Sequence, residues 1–177
     1  MREAVLQAAL DSLAENGASG VTMNDVARRS GVHATSVQRR WGSRDKLILD
    51  ALLSYSRSEL TVPDAGSVRE DLILFGNSVL GYLASPLGEA LVRAMAAAED
   101  DAETDAWRAE FWQARYESAR VMIARGVARG ELSERADALT ILELLVAPLH
   151  FRALLARRVG PDRSVEQLVD AILHEVD

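Results

Sequence analysis

The sequence has no cysteine, which removes disulfides and thiolate chemistry together. Histidine occurs only at His33, His150 and His174, in unrelated contexts and without HExxH or any comparable metal-ligand spacing. There is no glycine-rich phosphate loop and no nucleophile elbow. These absences leave no catalytic residue to nominate, so the expectation is a protein that is not an enzyme and uses neither metal nor cofactor. No apolar run approaches the roughly 18 residues that a membrane span requires. The N-terminus begins with an amphipathic helical pattern rather than a basic-then-apolar signal, so a cytoplasmic protein with no membrane contact is expected. Strict apolar/polar alternation persists nowhere, and no strand is expected.

What remains is a chain of 177 residues with 49% hydrophobic residues, enough to bury a sizeable core. Its charge is unevenly placed. Residues 1–60 hold eight Lys/Arg against seven Asp/Glu, whereas residues 61–177 hold twelve against twenty. Such asymmetry fits a nucleic-acid-reading head on an acidic body that phosphate would repel. Helical periodicity predicts helices at about Arg2–Asn16, Thr22–Arg29, His33–Arg40, Ser43–Leu60, Ser67–Leu83, Ser85–Ala98, Thr104–Arg129, Arg135–Arg157 and Ser164–Glu175. The fold class is therefore all-α with about nine helices. Thr61–Gly66, containing Pro63-Asp64, is the best boundary. It divides a DNA-binding head (1–48) from a helical body (61–177), with the fourth helix (43–60) as the link. Pro148 lies inside the apolar run Leu144–Leu155 and should kink or break that helix near Leu144.

The most informative stretch is residues 22–47, TMNDVARRSGVHATSVQRRWGSRDKL. Thr22 and Asp25 have the capping-box spacing in which a hydroxyl and a carboxylate together satisfy the free N–H groups of a helix start. Gly31 supplies the sharp turn between two short helices. Val21, Val26, Ala27, Val32, Val37 and Trp41 can meet in one small core. Thr35, Ser36, Gln38, Arg39 and Arg40 are left facing outward, as hydrogen-bonding groups for base edges and phosphates. Between Arg28 and Lys46 there are six basic residues and one acid. The same two-helix pattern alone also fits a hairpin in an ordinary bundle; the flanking first helix, the aromatic closure at Trp41 and the Ser43 helix start favour the DNA head.

At these residues the chain resembles the TetR family of transcriptional regulators. Ala8–Gly17 (AALDSLAENG), then VTMNDVARRSGV, an aromatic at Trp41 and GSRDKL follow that family's order over about 50 residues. Farther along, ARGEL (Ala128–Leu132) and PLHFRALL (Pro148–Leu155) resemble features of some members' ligand domains. The usual tyrosine of the recognition helix is Gln38 here, and the usual histidine is Arg40. The resemblance implies a three-helix helix-turn-helix head on a helical-bundle domain for ligand binding and dimerisation. It implies a repressor that binds a palindromic operator in double-stranded DNA as a homodimer and is released by a small-molecule effector, as yet unidentified. A constitutive DNA-binding factor without ligand response is the alternative.

The DNA-contact candidates are Thr22, Asn24, Ala34, Thr35, Ser36, Gln38, Arg39, Arg40 and Arg44. Arg44, with the N–H groups near Thr22, is assigned to phosphate, whereas Gln38 suits adenine and an arginine suits guanine. For dimerisation, Leu142, Leu145, Leu149, Leu168, Val169 and Ile172 form apolar stripes on the last two helices. Packing on the chain's own body is the competing reading of those stripes. The effector candidates are Phe75, Tyr82, Met95, Trp107, Phe111, Trp112, Met122, His150 and Phe151, with His150 the sharpest polar anchor. Ordinary core packing competes for each of them. The acidic run Glu99–Asp105 reads as a solvated helix connection.

Overall fold

Caps and left-handed glycines divide the chain into helices. The computed structural model describes residues 1–97, 102–153 and 164–176. Among these the regular elements are α1 (Arg2–Gly20), α2 (Met23–Ser30), α3 (Ala34–Trp41), α4 (Arg44–Glu59), α5 (Val68–Ala84), α6 (Pro86–Ala97), α7 (Ala102–Ala128), α8 (Ala138–Phe151) and α9 (Val165–Val176). No helix among the described residues is long and apolar enough to cross a membrane. The chain packs as two units, residues 1–59 with 85–104 and residues 60–84 with 105–177.

In the first unit α1 packs on α2 and α4, and α6, which comes later in the sequence, packs on α4 and α1. Val5, Val21, Val26, Val37, Leu47 and Leu52 are fully buried here. Gly17, expected to end the first helix, does leave helical geometry at φ 67°, but one more turn continues to Gly20 before Val21 extends. The Thr22 hydroxyl accepts from the Asp25 N–H at 3.1 Å, as the capping spacing predicts. The carboxylate half of that box is different. Asp25 takes the Ser12 hydroxyl at 3.2 Å and the guanidinium groups of Arg28 and Arg29. Two charged donors are stronger partners for a carboxylate than one backbone N–H. Gly31 then makes the turn into α3 at φ 68°, in the left-handed region that glycine enters without steric cost.

The second unit is built on α5, which contacts both α8 and α9. Their approach is close at Gly76, where an added Cβ would lie 2.7 Å from Val165 Cγ1. Ser67 opens α5 by accepting from the Glu70 N–H at 3.1 Å. One turn on, Asp71 is fully buried. Its Oδ1 accepts the Ala65 N–H at 2.6 Å, and its Oδ2 lies 3.6 Å from Arg125 Nη2 and 3.8 Å from Arg129 Nη2. Arg125 also pairs with Asp64 at 2.9 Å and donates to the Pro63 carbonyl. The segment leading out of α4 is thereby knotted to the end of α7.

Two expectations for α8 change. The helix begins at Ala138, not Arg135, because Asp137 caps it, accepting from the Leu139 N–H at 3.2 Å and the Thr140 hydroxyl at 2.6 Å. It also runs unbroken through Pro148 to Phe151. Proline removes one helical hydrogen bond, and burial of Leu145 and Leu149 on either side of it outweighs that loss. The part of this helix expected between 154 and 157 lies outside the described residues.

Candidate functional site

The helix-turn-helix presents one polar face. Val37 and Trp41, four residues apart on α3, are buried against the head, while Thr35, Gln38, Arg39 and Arg40 are exposed and Ala34 and Ser36 are half-buried. Val32, expected in the small core, is only half-buried. Thr22 and Asn24 at the start of α2 are exposed, as is Arg44 at the start of α4. Ser43 caps α4 by accepting from the Lys46 N–H at 3.2 Å, which fixes the turn that carries Arg44.

The basic residues of this stretch are not equivalent. Arg28 and Arg29 are spent inside the head: both hold Asp25, and Arg29 also reaches Glu15 at 2.8 Å. Burial pushes the Asp25 carboxyl up, but hydrogen bonds from Arg28 and Arg29 outweigh it and hold it below the usual range. Glu15 is likewise lowered by its hydrogen bond with Arg29. Arg40 lies back over the Trp41 ring, 5.4 Å from its centroid. Among the described residues Arg44 is paired with its neighbour Asp45, at 3.0 Å, an exposed pairing that water and salt weaken. Gln38 donates from Nε2 to the Gly42 carbonyl, closing the C-terminal end of α3. Reading a base with Gln38 therefore requires it to leave that carbonyl. A glutamine at this position is long enough to cap its own helix, a use that the sequence reading missed.

The effector candidates separate into three groups. Phe75, Tyr82, Phe111 and Met122 are buried. Trp112 and His150 are joined by Tyr116, which was not among the candidates, in a half-buried aromatic cluster between α7 and α8, with Trp112 centred 5.7 Å from His150 and 6.2 Å from Tyr116. Phe151 is 57% exposed and is not part of that cluster's interior. The side chains of Met95 and Trp107 lie outside the described residues, as does most of the acidic run. His150 Nδ1 is 2.9 Å from the Val146 carbonyl, which can only accept, so Nδ1 carries the proton.

Burial pushes the His150 pKa down, and the Arg115 charge adds to that effect. A histidine lowered in the folded state gives stability that is complete above the ordinary value of 6.5 and is lost as pH falls through the lowered value. The expected result is a thermal midpoint that drops as pH falls below about 6.5. In His150→Gln the slope over that window is shallower; an unchanged slope would contradict the assignment.

The expected dimer residues sit mostly inward. Leu142, Leu145, Leu149, Val169 and Ile172 are buried by the chain's own helices, and Leu168 is half-buried. On α8, Leu139, Leu144 and Phe151 are the large apolar side chains left exposed. The helical period marks the apolar residues, but it does not say which of two apolar faces the chain itself covers.

Comparison with known proteins agrees with this geometry. Residues 5–51 match the profile of bacterial regulatory proteins of the tetR family, and residues 62–172 match the tetracyclin repressor-like C-terminal domain. The chain is 37% identical over 149 residues to the HTH-type transcriptional regulator AqdR of Rhodococcus erythropolis, covering 84% of this chain and 72% of that one. It is 31% identical over 180 residues to a DNA-binding transcriptional repressor TetR of Mycobacteroides abscessus, covering 96% of this chain and 90% of the relative. A crystal structure of a TetR family transcription regulator matches with a TM-score of 0.85 at 28% identity, over 99% of this chain and 98% of the other. The exposed face of α3, the caps that hold it and these relatives converge: the chain belongs to the TetR family of DNA-binding helix-turn-helix transcriptional regulators, and is a regulator rather than an enzyme.

Proposed function

We propose that two copies of this chain bind a palindromic operator, repress transcription in the cytoplasm, and let go when a small molecule binds among the helices of the second unit. The observation that carries the DNA half is α3 itself, whose Thr35, Gln38, Arg39 and Arg40 are exposed while Val37 and Trp41 are buried. An eight-residue helix spans only a few base pairs, so two heads on a two-fold axis are needed for a selective site. The exposed Leu139, Leu144 and Phe151 on α8 offer apolar surface for the pairing. Repression is supported by the Mycobacteroides abscessus relative, whose name states that role. The effector reading is supported by the aromatic cluster around Trp112, Tyr116 and His150. It works only to the extent that the effector binds the released arrangement better; a coupling of about 1–3 kcal/mol gives roughly 5- to 150-fold derepression.

The test is a salt titration of DNA binding by the parent and by Arg44→Ala. Affinity for a palindromic duplex falls steeply with salt. Arg44→Ala weakens selected and scrambled duplexes alike and reduces the logarithmic slope by about one for each phosphate that the variant no longer neutralises. A flat salt response would remove the phosphate-anchoring role. Effector sensing is read from the same complex challenged with a panel of apolar and cationic small molecules. If the parent and Trp112→Ala hold DNA equally tightly across the panel, the chain is a constitutive binder.

A further inference from the structure

α3 is held by a polar contact as well as by its apolar ones. Two side chains, Val37 and Trp41, bury α3, and both lie on one stripe of an eight-residue helix. Apolar contact is non-directional, so two such contacts choose which face of a short helix is buried but set its roll only coarsely. A hydrogen bond is directional and removes the remaining freedom. The Trp41 indole supplies one: its Nε1–H donates to Asp50 Oδ2 at 2.9 Å, from the last residue of α3 to the second turn of α4. The other carboxylate oxygen, Oδ1, accepts from Arg2 Nη2 at 2.5 Å, at the first residue of α1. Three helices of the head thus meet at one carboxylate. Trp41 is 5% exposed and the Asp50 side chain 22% exposed, so the pin is shielded but not sealed. An indole N–H that shielded would go unsatisfied without it.

We propose that Asp50 is a positioning residue for DNA recognition: it sets the roll of α3, and hence where Thr35, Gln38 and Arg39 point, by gripping Trp41 with one oxygen and Arg2 with the other. The inference rests on the DNA-reading function proposed above. It also gives α4 a handle on the recognition helix, because a movement of α4 carries Asp50 and pulls the end of α3 with it. The arrangement has a sequence signature, Trp41 nine positions before Asp50, but nothing in the spacing alone distinguishes it from an ordinary surface aspartate.

The test uses the full chain and a palindromic duplex enriched from a randomised pool by the parent protein. Trp41→Phe keeps an aromatic ring, though a smaller one, and removes the N–H; Asp50→Leu removes both acceptors; the double variant removes the whole pin. Each single variant is expected to lose about tenfold in preference for the enriched duplex over a scrambled one, the scale of one charge-assisted hydrogen bond. The double variant loses no more than the worse single, since both act through one bond. The thermal midpoint of Trp41→Phe, lowered by the cavity that the smaller ring leaves, stays well above the temperature of the binding assay, which separates positioning from unfolding. If Asp50→Leu fails to fold, Asp50→Ala, which also removes both acceptors, replaces it and is held to the same expected loss. Single variants with the parent's preference, or losses that add in the double variant, would overturn the inference. A parent that enriches no duplex would instead sink the DNA-reading function itself.

Discussion

Replacing Arg39 with alanine is expected to lower the affinity of the proposed dimer for its operator by about 2–6 kcal/mol, about 1–3 from each half-site. Arg39 is exposed on α3 between Gln38, tied to Gly42, and Arg40, drawn back over Trp41. Of these three it has, among the described residues, no such internal engagement to give up before it meets a guanine edge. The loss is confined to one base position in each half-site. Titrations of the variant against operators substituted position by position measure this directly. A loss that is equal for every substituted duplex would reduce Arg39 to a phosphate contact. Gln38→Ala has a smaller effect, because the parent glutamine must first leave the Gly42 carbonyl.

The second large effect is on stability. Asp71→Ala destabilises the chain by about 3 kcal/mol and lowers the thermal midpoint by about 6–12 °C. Asp71 is fully buried, takes the Ala65 N–H and faces two guanidinium groups. Removing it leaves a buried donor and part of two positive charges without their partner. The loss stays at the low end for a buried ion pair because Arg125 retains Asp64 and Arg129 retains Glu131. Asp71→Asn, which keeps an acceptor for Ala65, loses less than Asp71→Ala. Urea or thermal unfolding of both variants checks the order, and equal losses in the two would show that the charge alone matters.

Much of the helix layout was legible because the signals are local. Thr22, Ser43, Ser67 and Ser164 each accept a backbone N–H three residues on, as their positions before apolar runs suggest. Which face of α3 is exposed was legible for a related reason. An eight-residue helix with two apolar residues on one side has little choice about which side faces outward. The illegible features join residues far apart in sequence. Asp71 meets Arg125, Arg2 meets Asp50, and Asp25 meets Ser12, and no local spacing distinguishes such carboxylates from solvated ones. The same limit explains the last two helices. Leu142 and Leu145 read as surface for a second copy, yet the chain's own helices cover them, and Leu139 and Leu144 remain outside. The effector region was the least legible, since an apolar residue lining a ligand site and one in a core obey the same helical period.

The partnership of α6 with α1 and α4 has a bearing on how the chain is made. The first unit is not continuous: it closes at Glu59, and the polypeptide builds α5 before returning with Ser85–Thr104. During synthesis the apolar flank of α4 therefore waits for residues that emerge about 25 positions later, a matter of seconds at about 5–20 residues per second. A ribosome-bound chain ending near residue 60 carries a complete helix-turn-helix with one side uncovered. Arrest peptides placed after residue 60 and after residue 105, each behind a linker long enough to clear the ribosomal exit tunnel, should register the transition to a protease-resistant head only at the second position.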